Sequence, residues 1–252
     1  MKKQKNLIYG ILCIILLFTL VACLEPMEEA HPFAEGHKKG VQKKIIKEYN
    51  ELLEEKNEEE ILNFLDENIE KLDKTYASTM IVDLGQYLEE EGYPIYHTYI
   101  LLNRYQKYVS LETKSYINLF FNEAIDPFKS VDQLEIDLEE LINRAIACEN
   151  HLIAFSKGES KDEIYELYVD YIKTSIYGLE DPYIFTKENT SILKDEVIEV
   201  YKRAIENHED SKTSNILSQY IKVLGENDHN IDKENIKKFH EDLDSIINKE
   251  FN

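Results

Sequence analysis

Apolar residues recur every three or four positions along the chain after residue 40, and this helical period constrains the fold more than any other sequence feature. One stripe consists of Val41, Ile45, Tyr49 and Leu52, and similar stripes follow it. No strand-like alternation interrupts them, and the 252 residues include only 8 Gly and 5 Pro. We therefore predict an all-α fold, a multi-helix bundle or a short α-solenoid-like array in a single domain.

Several helices can be placed from apolar spacing and from residues that begin or end helices. Residues 134–155 show a 4-3-4-3 apolar spacing suited to antiparallel packing, and residues 130–133 before them have the form of a capping box. A second capping box at residues 160–163 predicts the start of the next helix. Residues 95–109 are apolar nearly all round, which predicts a central, buried helix. Residues 178–190 form the longest irregular connection.

The N-terminus carries a targeting pattern. Three lysines in the first five residues precede an apolar run, which ends in Leu20-Val21-Ala22-Cys23. A basic start, a short apolar core and small residues before a cysteine together resemble the signal of bacterial lipoprotein precursors. The resemblance covers about the first tenth of the chain and implies signal cleavage after Ala22 and lipidation of Cys23. The alternative is an uncleaved membrane helix, because the run is close to the ~18-residue lower limit for spanning a bilayer.

Both alternatives place the rest of the chain outside the cytoplasmic membrane, because positive charge stays inside. Under the lipoprotein resemblance, residues 1–22 are the signal peptide, residues 23–39 a flexible tether and residues 40–252 an all-helical extracytoplasmic domain. The first partner is then the lipid bilayer itself, through the N-terminal lipid. Two or three acyl chains, palmitate among them, anchor a protein stably, whereas one chain binds only marginally.

The charge balance excludes some partners. The chain has 29 Lys plus Arg against 50 Asp plus Glu, a formal net charge of −21, and removal of the signal peptide would make it more acidic. Binding to nucleic acid or to anionic lipid headgroups requires clustered positive charge. We therefore expect neither nucleic acid nor the lipid headgroups to be bound by the folded domain.

The cysteines leave no intramolecular disulfide. Cys13 would be removed with the signal peptide and Cys23 would carry lipid, so only Cys148 would remain. Cys148 and His151 lie three residues apart and could place two metal ligands on one helix face, but zinc needs three or four ligands. Since Cys148 also occupies a core position in the apolar spacing, a buried structural thiol is the favoured interpretation. We predict no metal site and no cofactor.

Three further polar clusters are candidate sites. His208-Glu209-Asp210 and His240-Glu241-Asp242 have the residue types of metal or acid–base sites, but adjacent helical side chains point about 100° apart, so surface roles are favoured. Asp228, Asn230 and Asp232 match the first three ligand positions of a calcium loop. Lys233 and Phe239 stand where an EF-hand has Gly and Glu, so only a weak calcium site stays open, and Asp232 is more simply a helix N-cap.

The 17 tyrosines are unevenly distributed. One group surrounds the segment at 95–109 and another lies at 165–177; the members are Tyr93, Tyr96, Tyr99, Tyr105 and Tyr108, and Tyr165, Tyr168, Tyr171 and Tyr177. Core packing is the favoured interpretation, because aromatic residues at helical spacing usually fill a bundle interior. The alternative is an aromatic-lined groove that binds a partner.

No catalytic motif is found: phosphate-binding glycine loops, a Gly-x-Ser-x-Gly turn and a His-Glu-x-x-His pattern are all missing from the sequence. We therefore expect a membrane-anchored, non-enzymatic binding module of the cell envelope, with an unidentified envelope protein as partner and no catalytic residues. The alternative is an envelope hydrolase that uses scattered carboxylates, with or without the help of a metal ion.

Overall fold

The computed structural model describes residues 32–130, 133–178, 184 and 192–251, with side chains from residue 39 onward. This part of the chain is 76% helical and contains no sheet, so the all-α bundle is confirmed. Two isolated antiparallel bridges, Lys129–Leu134 and Ile192–Asn230, occur in it. The ten helices are α1 Pro32–Glu55, α2 Glu58–Asn68, α3 Lys74–Glu90, α4 Ile95–Asn103, α5 Leu111–Ile125, α6 Leu138–Ala154, α7 Lys161–Tyr177, α8 Asp195–Asn207, α9 Lys212–Gly225 and α10 Glu234–Phe251.

The chain divides into two compact units, residues 1–47 and residues 48–252. The described part of the first unit is the N-terminal portion of α1, which starts at Pro32. The first turns of α1 therefore lie in the segment 23–39, where the sequence predicts a tether. Proline is compatible with this start, because its fixed φ suits the first helical position and the missing N–H has no partner there in any case.

Polar side chains begin most of the helices in the second unit. Each accepts a hydrogen bond from a backbone N–H in the first turn, which satisfies one of the groups that a helix start leaves unpaired. These N-caps are Asn57, Asp73, Ser110, Asp137 and Ser211. Gly92 and Gly178 end α3 and α7 with positive φ angles of 80° and 70°, which glycine adopts without a Cβ clash.

One sequence prediction of a helix start is wrong. The capping box at residues 130–133 does not begin α6; instead Asp137 caps it, while Ser130 donates its hydroxyl to Glu135 within a short bridged turn. The apolar seam is nevertheless buried within α6 from Leu138 to Leu152. Helix α10 begins at Glu234, and Asp232, two residues before it, stays a predicted cap.

The predicted buried helix at residues 95–109 is also corrected. Only residues 95–103 form α4, after which the chain turns, and Ile95 and Tyr96 at its start are 52% and 58% exposed. The buried face carries Thr98, Tyr99 and Leu102. An all-round apolar pattern thus marks one buried face and one apolar face that stays open to solvent.

Helices α6 and α7 form the most extensive helix pair of the second unit. Helix α6 also packs against α5, α8 and α9, while α10 packs on α7 and α9. Helix α4 packs between α3 and α5. One hydrophobic cluster runs through this arrangement from Leu119 to Ile247 and includes the buried tyrosines Tyr168, Tyr171, Tyr201 and Tyr220.

Candidate functional site

The largest concave surface described is a groove of about 990 Å³ beside α7, which we call the α7 groove. Its walls come from the start of α4, from α5, α7 and α10, and from Glu89 near the end of α3. Its apolar lining consists of Tyr93, Ile95, Tyr99, Phe120, Tyr165, Leu167 and Val169. A groove of this size falls in the range of binding sites for ligands and peptide segments.

The floor of the α7 groove is a rigid aromatic layer. Tyr99 is buried and stacks on Phe120 with ring centroids 5.1 Å apart, and its hydroxyl lies 2.8 Å from that of Tyr116. Tyr165, Leu167 and Phe120 are half-buried and pack partly on the core, leaving their outer surface to the groove. The turn at Gly92 and Pro94 starts α4 so that exposed Ile95 joins this surface.

Carboxylates surround this apolar floor. Five acids line the groove against one lysine, namely Glu89, Glu163, Glu166, Asp170 and Asp244 against Lys173. Burial raises the pKa of Glu89, and the negative charge of Glu163 raises it further. Glu163 accepts a hydrogen bond from the Tyr116 hydroxyl at 2.6 Å, which fixes its position at the end of the groove.

A second, smaller cavity of about 400 Å³ lies between α3, the start of α5 and the start of α7, and we call it the hydroxyl cavity. Seven hydroxyl groups line it together with Lys157, Glu112, Glu159 and Glu163. The hydroxyl-bearing residues are Thr75, Ser78, Thr79, Ser110, Thr113, Tyr116 and Ser160. Glu163 thus lines both the hydroxyl cavity and the α7 groove.

A hydrogen-bonded array lies at one wall of the hydroxyl cavity. Ser160 donates its hydroxyl to Glu112 Oε1 at 3.0 Å, and its Oγ lies 2.9 Å from Nε2 of His151. The other ring nitrogen, Nδ1, lies 2.9 Å from the hydroxyl of Ser115. Because Ser160 donates to Glu112, its oxygen accepts from Nε2–H, and Nδ1 accepts from Ser115.

The order of this array differs from a nucleophile–base–acid triad. In such a triad the acid contacts the ring nitrogen opposite the nucleophile and orients the base. Here Glu112 contacts the serine, and Ser115 occupies the second nitrogen of a histidine that is only 2% exposed. Burial lowers the pKa of His151, and the charge of Glu112 opposes this shift. The geometry therefore describes a buried polar connection between α5, α6 and α7.

Gly158 makes room for Glu112. A Cβ at this position would overlap with the Glu112 carboxylate, whose Oε1 also accepts from the backbone N–H of Ser160 at 3.3 Å. As a result the predicted capping box at residues 160–163 marks the start of α7 correctly, but Ser160 forms no side-chain cap. Its hydroxyl is used by the array instead.

Two buried charged side chains were not predicted from the sequence. Arg144 on α6 contacts Glu123 at 2.6 Å, Asp126 at 2.8 Å and Glu140 at 3.0 Å. Glu149, also on α6, accepts from the backbone N–H groups of Lys212 and Thr213 at 2.7 and 2.9 Å. Both groups stabilise contacts between helices, and the apolar period of α6 gave no signal for them.

The Cys148–His151 pair does not form a ligand pair. Cys148 is a free, buried thiol in the core cluster, and burial raises its pKa, so the thiol is the dominant form. His151 instead contacts the two serines of the array. Among the described residues, no three His, Cys, Asp or Glu side chains are arranged to hold a metal ion.

The other two histidine clusters do not assemble into a metal site in the described part of the chain. His240 packs against Tyr177 and Tyr220, and burial lowers its pKa, whereas its neighbours Glu241 and Asp242 are exposed. His208 is the residue that follows α8, next to exposed Glu209 and Asp210. In the loop before α10, the Asn230 side chain accepts from the backbone N–H of Asp232 and so is used in a local turn.

The tyrosines divide between the two interpretations. Tyr99, Tyr105, Tyr168 and Tyr171 are buried, as core packing predicts. Tyr93, Tyr99 and Tyr165 line the α7 groove, as the alternative of an aromatic groove predicts. Tyr99 serves both roles, because its ring is packed while one edge forms the floor.

The predicted signal peptide, Ala22 and Cys23 lie outside the described residues. No helix within residues 32–130, 133–178 or 192–251 has the length and apolar character needed to cross a bilayer. Comparison of this chain with known protein families, with curated proteins and with solved structures yields no match.

Proposed function

We propose that this chain is a lipid-anchored extracytoplasmic protein that acts as a non-enzymatic interaction module of the cell envelope. The α7 groove is its binding surface for another envelope protein. The observation that carries this proposal is the groove's solvent-open floor of aromatic and aliphatic side chains, of which Ile95 is 52% exposed. A concave apolar surface with a polar rim is characteristic of protein interaction sites.

The anchoring part of the proposal is supported by the lipoprotein-like pattern that ends at Cys23. Replacing Cys23 with Ala is expected to abolish metabolic labelling with a fatty acid and to release the protein from the membrane or leave the precursor unprocessed. Unchanged labelling would show that the lipid is attached elsewhere.

The binding part is tested by crosslinking in intact cells followed by recovery of the lipidated protein. Ile95→Ser changes an exposed groove residue, and Ile125→Ser is its matched control, because both isoleucines are 52% exposed and Ile125 lies outside the groove. We expect a stoichiometric partner with the unmodified protein and with Ile125→Ser, and a reduced yield with Ile95→Ser. Equal recovery by both variants would contradict the groove as the binding surface.

A second candidate function is an envelope hydrolase that uses carboxylates. The observation that favours it is the hydroxyl cavity, which Glu112 and Glu163 both line. Glu112→Gln with Glu163→Gln would then abolish hydrolysis of an envelope polymer while the Ile95→Ser variant retains it. Full activity in the double variant would exclude this pair.

A further inference from the structure

The acidic residues of the α7 groove have a regular spacing along α7. Glu163, Glu166 and Asp170 are three and four residues apart, so they lie on one face of the helix. At 1.5 Å per residue, the lining from residue 163 to residue 173 extends for about 15 Å, or nearly three helical turns. The groove therefore presents a row of acidic residues along an apolar floor, and the Cβ atoms of neighbours in such a helical row are about 5–6 Å apart.

Part of this negative charge is not neutralised by neighbouring lysines. Asp170 pairs with Lys129, and Asp244 pairs with Lys173, each at 2.6 Å. Among the described residues, the other three acids of the groove form no ion pair; these are Glu89, Glu163 and Glu166. Burial is the main cause of the raised pKa of Glu89, and the negative charge of Glu163 adds to it. An occupant that brings positive charge would offset the repulsion between these like charges.

The occupant must also cover the apolar floor. The floor side chains Tyr165, Leu167 and Val169 project from the same stretch of α7 as the carboxylates. A ligand with charge alone would leave them in water, and an apolar ligand alone would desolvate the carboxylates without a partner. An amphipathic helix satisfies both needs, because apolar and basic residues at i, i+3, i+4 and i+7 share one side.

We propose that the α7 groove binds a basic amphipathic helix of a partner protein. This inference rests on the proposed function, because it names the partner of the same groove. The partner helix spans about three turns along α7. It carries Lys or Arg at i, i+3 or i+4, and i+7 against the row of carboxylates, next to apolar side chains that cover the Tyr99–Phe120 floor. The net charge of −21 on the chain accelerates its encounter with such a segment.

The test uses the full chain in purified form and a synthetic helical peptide of four turns, with Leu on one face flanked by Lys at the stated spacing. A matched peptide has Glu in place of each Lys. Fluorescence anisotropy is expected to show saturable binding of the Lys peptide, weakened by added salt, and at least tenfold weaker binding of the Glu peptide.

The acidic row is tested by the double variant Glu163→Gln with Glu166→Gln. It is expected to lower the affinity for the Lys peptide about three- to thirtyfold, since each exposed ion pair changes a binding constant by a factor of a few. Glu206→Gln, an exposed acid on α8 outside the groove, is the matched control and should leave the affinity unchanged. Unchanged affinity in the double variant, or equal binding of the two peptides, would overturn the inference.

The outcomes distinguish this inference from the proposed function. If Ile95→Ser reduces partner recovery in cells but the Lys peptide is not preferred, the groove binds a partner of other chemistry, and only the present inference fails. If sedimentation shows a dimer of the full chain that Ile95→Ser dissociates, the occupant is a second copy, which also overturns the inference. If neither cellular recovery nor peptide binding depends on Ile95, both proposals fail.

Discussion

His151 is a neutral ring held between two serines, and its burial has a measurable consequence for pH dependence. The ring is 2% exposed, and burial lowers its pKa from the ordinary value of 6.5. Between its folded and unfolded pKa values, the unfolded chain binds the proton more readily. The contribution of His151 to stability is therefore complete above about pH 7 and decreases as the pH falls below 6.5.

We predict that His151→Gln makes the free energy of unfolding less sensitive to pH between 7 and 5.5. The effect of one such group is at most about 1.4 kcal/mol per pH unit. Urea unfolding at a series of pH values measures it. His240→Gln provides a comparison, because burial lowers the pKa of His240 too. Parallel stability curves for the unmodified chain and His151→Gln would contradict the prediction.

At the residue scale, the sequence identified the environment of Cys148 but not that of His151. Cys148 occupies one position of the apolar seam of α6 and is buried. A helical apolar period predicts burial of its members without knowledge of the residues they contact. The partners of His151 are Ser115 and Ser160, which are 36 and 9 residues away, and Glu112 joins through Ser160. The pattern of residue types along one helix contains no information on such partners, because His151 and its partners meet only after the helices pack.

The start of α9 shows how one helix fixes the end of another. Glu149 on α6 is 2% exposed and accepts from two backbone N–H groups of α9 and from the Thr213 hydroxyl at 2.8 Å. A carboxylate at a helix N-terminus also interacts favourably with the helix dipole. The N-cap Ser211 satisfies a further N–H of the same turn, that of Ser214.

We predict that Glu149→Ala lowers the free energy of unfolding by about 2–4 kcal/mol, because it leaves buried donors unpaired. Glu149→Gln, which keeps one acceptor oxygen, should lower the free energy of unfolding by less. Glu139→Ala on the same helix is the control, since its ion pair with Arg203 is half-exposed and contributes about 1 kcal/mol or less. Chemical denaturation followed by circular dichroism measures all three. A loss for Glu149→Ala no larger than that for Glu139→Ala would contradict a role as an interhelical cap.

At the element scale, helix existence was predictable and helix starts were only partly so. Ser160 marks the start of α7, yet its hydroxyl bonds to Glu112 and not to its own helix. The sequence signal for a cap at Ser130 is as strong as that at Ser160, but Asp137 is the N-cap of α6. Capping signals are local, whereas the choice between two candidate caps depends on how the preceding turn packs.

At the scale of the whole molecule, excess negative charge opposes compaction while local ion pairs oppose unfolding. The chain has a net charge of −21, and exposed pairs such as Lys56–Glu91 and Arg104–Asp66 each contribute little. Screening by salt weakens both effects, but the repulsion involves many more charges.

We predict that raising NaCl from about 10 to about 200 mM increases the melting temperature by a few degrees, because screening at these concentrations reduces self-repulsion. Thermal unfolding followed by circular dichroism at constant pH is the measurement. A decrease in the melting temperature over this range would show that the ion pairs dominate.

The all-α fold was predictable because the apolar period is repeated through the whole chain. The α7 groove was predictable only as one of two interpretations of the tyrosines. Tyr165 and Tyr168 stand three residues apart on α7, and one lines the groove while the other is buried. Periodicity identifies the apolar face of a helix. Whether another helix covers all of that face depends on how the bundle is assembled.

Glu163 lines both the α7 groove and the hydroxyl cavity, so ligands bound in the two places would be linked thermodynamically through this side chain. Two cationic ligands, one on each side, would compete for the electrostatic attraction of a single carboxylate. Binding of either would then weaken binding of the other by the same factor, since linkage between two sites is reciprocal. The two concavities would behave as one negatively cooperative pair, with Glu163 as the common element.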